Sequence, residues 1–349
     1  MPARRLLPLL IIALLVTAGA TLAACGGSDS ATSGATGSGD GLVVYSGREE
    51  ELVAPLYEQF TAETGIKLDV RYGDSAELAA TLLEEGDATP AQVFYAQDAG
   101  SIGVIEDRLA ELPASDLDLI PARYRDPAGR WTGVTGRVRV LIYNTERVDA
   151  AKLPDSVLPL GDKDWPGDVG VAPTNASFVG FVSAMREELG DEQTAAWLSG
   201  LSDHARTYEK NSQIVDAVAS GEVDTGLVNH YYLYEKLGSD PETPIANHYF
   251  APGDVGSFVN VSAVGILAGA SGNPDAEAFV TYLLTKGEVF FANDAEEREY
   301  PLNASEPGME RAEELPPLDD NLGPDVNLAD LSKDLEGTVK MIRDAGLIM

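Results

Sequence analysis

From residue 42 onward the chain alternates a short apolar run, a sharp polar turn and an amphipathic segment, and this double periodicity restricts the fold more than any other feature. LVVYSG precedes REEELVAPLYEQFTAETG, where Leu52, Val53, Leu56, Tyr57 and Phe60 recur on one helical face and Gly65 stops the helix. KLDVRYG, with Asp69 and Arg71 alternating against Leu68 and Val70, precedes SAELAATLLEEG, and QVFYAQ precedes DAGSIGVIEDRLA. The second half repeats the arrangement: VGVAP leads into TNASFVGFVSAMREELG, and DTGLVNH into YYLYEKLG, with the short helix NSQIVDAVASGE, opened by Asn211 or Ser212, between them. VGSFVNVSAVGILAGA is β-rich, PDAEAFVTYLLTKGEVFFAN reads as a helix, and a final helix runs over about 331–345. Alternating strands and helices imply an α/β fold with mainly parallel sheets. The roughly 300 residues involved exceed one ordinary hydrophobic core, so two lobes are expected.

The N-terminal end assigns a compartment. Arg4 and Arg5 precede the apolar run LLPLLIIALLVTAGA and the small residues TLAAC, which is the build of a secretory leader over residues 1–24. Its apolar core is too short for a convincing membrane span. Leu22, Ala23, Ala24 and Cys25 resemble a lipobox, in which cleavage leaves Cys25 as a lipid-bearing N-terminus; the alternative is a leftover thiol. As the only cysteine, Cys25 allows neither an internal disulfide nor a thiolate metal cluster. Residues 25–41 are Gly, Ser, Thr and Asp with little to bury, and read as a flexible tether. A formal charge of −33 argues against nucleic acid as a partner, because phosphate neutralisation needs Lys and Arg. Such acidity favours solubility first and long-range attraction of cations second, the latter screened beyond roughly 8 Å at physiological salt.

In open α/β sheets ligands bind beyond the carboxyl ends of strands, where helix N-termini present free N–H groups. That rule selects the turns at Ser46–Glu50, Asp74–Ser75, Gln97–Asp98, Asn175–Ser177, Asn211–Ser212 and Asn229–Tyr232. Helix capping alone accounts for Ser75, Asp98 and Ser212. Tyr231 and Tyr232 differ, because two adjacent phenols at a strand-to-helix turn either pack as rings or offer two hard oxygen ligands to one highly charged cation. His230 adjoins them as a donor behind the pair, while His204 and His248 read as ordinary loop residues. HExxH, GxSxG, GxxxxGK[ST] and strand-borne GxGxxG motifs are all absent. Pairs such as Glu49 and Glu50 are inevitable among 57 acidic residues, so a carboxylate-dependent secreted hydrolase is the weakest reading.

The stretches VVYSGREEELVAPLYEQFTAETGIKL, PAQVFYAQDA, GRVRVLIYNT, PTNASF, YEKNSQIVDAVASGEVDTGLVNHYY and EYPLN, spread over residues 42–303, together resemble the bacterial ferric-iron-binding proteins, the substrate receptors of iron ABC importers. The resemblance implies a two-lobed type II periplasmic-binding-protein fold with hinge crossovers and a central ligand cleft. It places Tyr231 and Tyr232 on a ferric ion. Two further ligands in much of the family, a His and a Glu, fall on Glu49 and Gln97; the neutral Gln97 departs from the pattern, and Asp98 beside it is the substitute. A synergistic anion, phosphate or carbonate, is implied at Asn175, Ala176, Ser177, Asn211 and Asn229, with Arg137 or Arg139 at the crossover to pair it; Arg139 reads equally as a structural residue.

The expectation is therefore a lipid-anchored receptor outside the cytoplasm, monomeric, which captures Fe3+ and passes it to an ABC permease and its ATPase without chemical turnover. Its lobes are expected over residues 42–138 plus 260–312, and 139–259 plus 313–349. The alternative within the same fold is a receptor for a phosphonate, thiamine or polyamine.

Overall fold

The computed structural model describes residues 41–294, 298–303, 311–318 and 322–348. The expected leader 1–24, and the tether as far as residue 40 with Cys25, lie outside the described residues. Among the described residues no helix is long and apolar enough to cross a membrane.

The chain opens with β1 (Leu42–Ser46), α1 (Glu50–Thr64), β2 (Leu68–Tyr72), α2 (Ser75–Glu85), β3 (Val93–Ala96), α3 (Ala99–Gly103) and α4 (Ala114–Leu117), and then enters the long strand β4 (Thr132–Asn144). A second series follows: β5 (Val169–Val171), α5 (Ala176–Leu189), α6 (Asp191–Ser202), β6 (Ala205–Thr207), α7 (Asn211–Ser220), β7 (Thr225–Asn229), α8 (Tyr232–Ser239) and β8 (Ile245–His248). The chain closes with β9 (Val259–Ile266), α9 (Pro274–Tyr282), β10 (Tyr300–Pro301) and α10 (Leu335–Asp344).

α1 shows how local sequence makes these elements. Val53, Leu56, Tyr57 and Phe60 form its buried face, and Gly65 takes the left-handed conformation, φ 77°, to return its N–H to the Thr61 carbonyl. The buried face meets α9, whose Phe279 ring stands edge-on to Tyr57 at 5.5 Å and to Phe60 at 5.1 Å. In the second half α6 packs through Trp197, whose Nε1–H donates to the Val157 carbonyl at 3.1 Å and whose ring lies 5.8 Å from Phe181 of α5.

The strands run in the order β2-β1-β3-β9-β4-β7-β5-β6, with β8 and β10 also paired to β4. β4 joins the two halves. Up to Val138 it pairs with β9, and from Arg139 it pairs antiparallel with β7, while β8 lies along its end. The chain returns at Phe258, whose carbonyl accepts the Arg139 N–H at 2.9 Å. The parallel expectation holds for β1 with β2 and β3, and for β5 with β6 and β7. It fails at β4 and β9, which pair antiparallel with their neighbours and make the sheet mixed.

Four details differ from the periodicity reading. The helix expected over DAGSIGVIEDRLA stops at Gly103, where a Cβ would lie 2.6 Å from Ser332 Oγ; a separate 3-10 turn, Glu106–Arg108, follows. The helix expected over PDAEAFVTYLLTKGEVFFAN ends at Tyr282 and gives way to π-type turns at Leu283–Gly287 and Phe290–Asp294. α7 does open at Asn211, but the residue at its N-cap is Lys210, and Ser212, the other candidate, lies inside the helix. The last helix starts at Leu335 because the Asp334 carboxylate caps it through the Gly337 N–H, 3.0 Å.

Candidate functional site

The strand-to-helix turns of both halves converge on one cleft of about 450 Å³, bordered by Glu49, Gln97, Asp98, Arg137, Asn175, Ala176, Ser177, Asn211, Asn229, Tyr231 and Tyr232. This convergence follows from topology: β1, β3 and β7 each end at the cleft, and the helices that follow direct their N-termini toward it. Arg139 is set behind the cleft wall rather than on it.

Tyr231 and Tyr232 sit where β7 gives way to α8, with ring centroids 4.2 Å apart and planes inclined by 30°. Tyr231 is buried and Tyr232 half-buried. Next to them lies Arg139, 1% exposed, with its guanidinium 5.7 Å from the rings of both Phe178 and Phe181. It donates to Ser177 Oγ at 3.2 Å and to the Leu227 carbonyl at 2.8 Å, and no carboxylate among the described residues is within ion-pair distance. Burial pushes this guanidinium down to about 9, against the pull of the Tyr232 and Tyr231 phenols. A buried cation without an acid is costly, and phenolates formed beside it by a bound metal would compensate it.

Asn175 caps α5, its Oδ1 accepting the Ser177 N–H at 3.0 Å and the Ser177 hydroxyl at 2.7 Å. Asn211 Nδ2 donates to Asn175 Oδ1 at 3.2 Å and to Ser177 Oγ at 3.0 Å, while its own Oδ1 is buried and takes no hydrogen bond. Asn175, Ser177, Asn211 and Arg139 thus form one polar cluster over the N-termini of α5 and α7. Asn175→Ala should lower stability by roughly 1–2 kcal/mol, since it removes a cap and a shared acceptor. Thermal unfolding measures this, and an unchanged midpoint would contradict it.

The opposite wall differs in what its side chains have available. Glu49 precedes α1 and makes no cap hydrogen bond, so its exposed carboxylate faces the cleft without that commitment. Gln97 has its main chain committed, the N–H to Ser75 Oγ at 2.8 Å and the carbonyl to Arg137. Asp98 is a cap: its oxygens accept the Ser101 N–H at 2.8 Å and the Ser101 hydroxyl at 2.7 Å. Burial raises its pKa, opposed by the bonds from Ser101. Sequence reasoning overlooked several lining residues. Lys210 adds positive charge, Tyr72 adds a phenol, and Glu235 adds a carboxylate one helical turn past the tyrosines, a spacing that could have revealed it. Among the described residues no three His, Cys, Asp or Glu side chains gather as a metal site.

His230 serves the pair from behind. It is fully buried, accepts the Val138 N–H on Nδ1 at 3.2 Å, and directs Nε2 at the Arg298 carbonyl, 3.1 Å. His204 and His248 likewise face main-chain carbonyls, of Leu160 and Pro154, each at 2.8 Å.

Comparison with known proteins matches residues 90–317 to the family described as bacterial extracellular solute-binding protein. The Fe(3+)-binding periplasmic protein of Serratia marcescens is 33% identical over 315 residues, covering 88% of this chain and 91% of that protein. Iron-bound HitA of Pseudomonas aeruginosa superposes with a TM-score of 0.81 at 31% identity, covering 88% of this chain and 99% of HitA. The Trichodesmium protein FutA, solved with iron and citrate ligands, superposes with a TM-score of 0.76 at 26% identity, covering 88% of this chain and 99% of its own.

Proposed function

Because this chain belongs to the bacterial extracellular solute-binding protein family, we propose that it is an exported receptor that binds ferric iron in its cleft and delivers it to an ABC import permease and its ATPase. The observation that carries the reading is the stacked phenol pair at the end of β7, beside a buried guanidinium that has no acid partner among the described residues. Ferric ion is a hard cation that favours oxygen donors and takes its ligands deprotonated.

Tyr231 and Tyr232 are the metal ligands of this reading, with Glu49 as the carboxylate arriving from the other half. Gln97 is a neutral, weaker donor, and Asp98 acts mainly through its cap. Asn175, Ala176, Ser177, Asn211 and Asn229 form the anion side, where phosphate or carbonate completes the coordination; Arg137 and Arg139 neutralise it. The lobes comprise residues 42–138 plus 260–312 and 139–259 plus 313–349. The protein catalyses no reaction and works as a monomer, held to the membrane through lipid on Cys25.

Thermal unfolding with ferric citrate, a phosphonate, thiamine or a polyamine added in turn tests the ligand class. Iron alone should raise the midpoint. Stabilisation by one of the other solutes with none by iron would move the protein to the alternative specificity. For the anchor, mass spectrometry of membrane-extracted protein should find a chain beginning at lipidated Cys25, and an unmodified chain beginning elsewhere would refute it.

A further inference from the structure

Residues 298–300 contact both halves of the site, although they contribute no wall to the cleft. Glu299 is buried, and its carboxylate accepts from Arg48 at 2.9 and 3.3 Å and from Thr135 Oγ1, with Arg137 Nε 3.9 Å away. Arg48 directly precedes Glu49, and Arg137 reaches the Gln97 carbonyl. One residue earlier, the Arg298 carbonyl meets His230 Nε2 at 3.1 Å, and His230 directly precedes Tyr231. One residue later, the Tyr300 ring lies 4.9 Å from the His230 ring.

The segment is held firmly enough to transmit position. Tyr300 and Pro301 pair with Gly136 and Thr135 of β4, and the Leu302 and Asn303 N–H groups both donate to Glu288, at 2.7 and 2.8 Å. Arg298 has φ 52°, the one positive value on a non-glycine among the described residues. Residues with a side chain seldom adopt that conformation, and here it aims the carbonyl at His230 while the next side chain turns to Arg48.

We propose that Arg298, Glu299 and Tyr300 form a strut that positions the Glu49 and Gln97 turns on one side, and the tyrosine turn on the other, around a shared metal. This rests on the ferric reading. The strut touches no ligand directly: Glu299 acts through Arg48 and Arg137, and the Arg298 carbonyl through His230. A link of this kind typically changes metal affinity by about 10–100-fold when cut.

The test titrates wild type and variants with ferric citrate, reading affinity, the phenolate-to-iron visible band and the thermal midpoint. Glu299→Gln should keep the band, bind iron about 10–100-fold more weakly, and reduce the further loss caused by Glu49→Gln, because both changes disturb the same turn. If Glu299→Gln does not fold, the His230 pair decides. His230→Gln keeps a donor at the Nε2 position and should retain affinity, whereas His230→Asn loses the reach to Arg298 and should weaken binding. Variants that lower the midpoint but bind iron as wild type does, with fully additive Glu49 effects or equal Gln and Asn affinities, would overturn the strut alone. Wild type that takes up no iron would overturn the ferric reading and the strut with it.

Discussion

Replacing Tyr231 and Tyr232 together by phenylalanine is expected to abolish ferric binding at micromolar iron while leaving a folded protein. The rings stack on each other at 4.2 Å, and phenylalanine preserves that contact. What disappears is both phenol oxygens. Loss of an outer partner already costs metal sites about 10–100-fold, so loss of two direct anionic ligands should cost roughly 10⁴-fold or more, about 5.5 kcal/mol. Arg139 would then have no phenol oxygen to compensate it, which leaves the buried guanidinium as a further penalty on cation capture. Equilibrium dialysis against ferric citrate, with circular dichroism as the folding control, measures the loss. Retention of wild-type affinity in the double variant would remove the tyrosines from the site.

The second large effect concerns acid. Burial lowers His230 from 6.5 to about 4, even though the bond to the Arg298 carbonyl favours the proton. Between those values the unfolded chain binds a proton at this position and the folded chain does not, so stability rises with pH across that window and is lost as pH falls through it. The contribution is roughly 3 kcal/mol, fully present above about pH 7 and lost by about pH 4. Many carboxylates titrate over the same range, so the informative quantity is the unfolding free energy of iron-free wild type minus that of His230→Gln. That difference should fall as the pH drops from 7 to 4. A flat difference would mean that His230 charges in the folded state without penalty.

Much of the fold was legible because period-2 and period-3.6 patterns separate strand from helix, as β1 with α1 and β7 with α8 show. The tyrosine pair was legible for the same reason, since its place at the end of a strand follows from the pattern. β4 was harder to read. Its buried run contains Arg137 and Arg139, and a buried arginine looks like a surface residue until its partners are known. α6 follows α5 with only Gly190 between them, so the pattern does not set it apart, and the apolar run of β9 carries no sign of its antiparallel direction. Glu299 was beyond reach: it meets Arg48 across 251 residues, and no local pattern encodes that distance. Likewise, Asp98 was visible as an acid near the site, but only the structure shows both its oxygens engaged by Ser101.

Phenol oxygens meeting a ferric ion are the centre of the proposed function, and the visible spectrum of the wild-type protein during iron loading tests that contact directly. Ferric citrate added to purified protein should produce a charge-transfer band that grows to saturation at equimolar iron, with tyrosine ring vibrations enhanced when the band is excited. Iron taken up without any such band, or no uptake at all, would contradict the account.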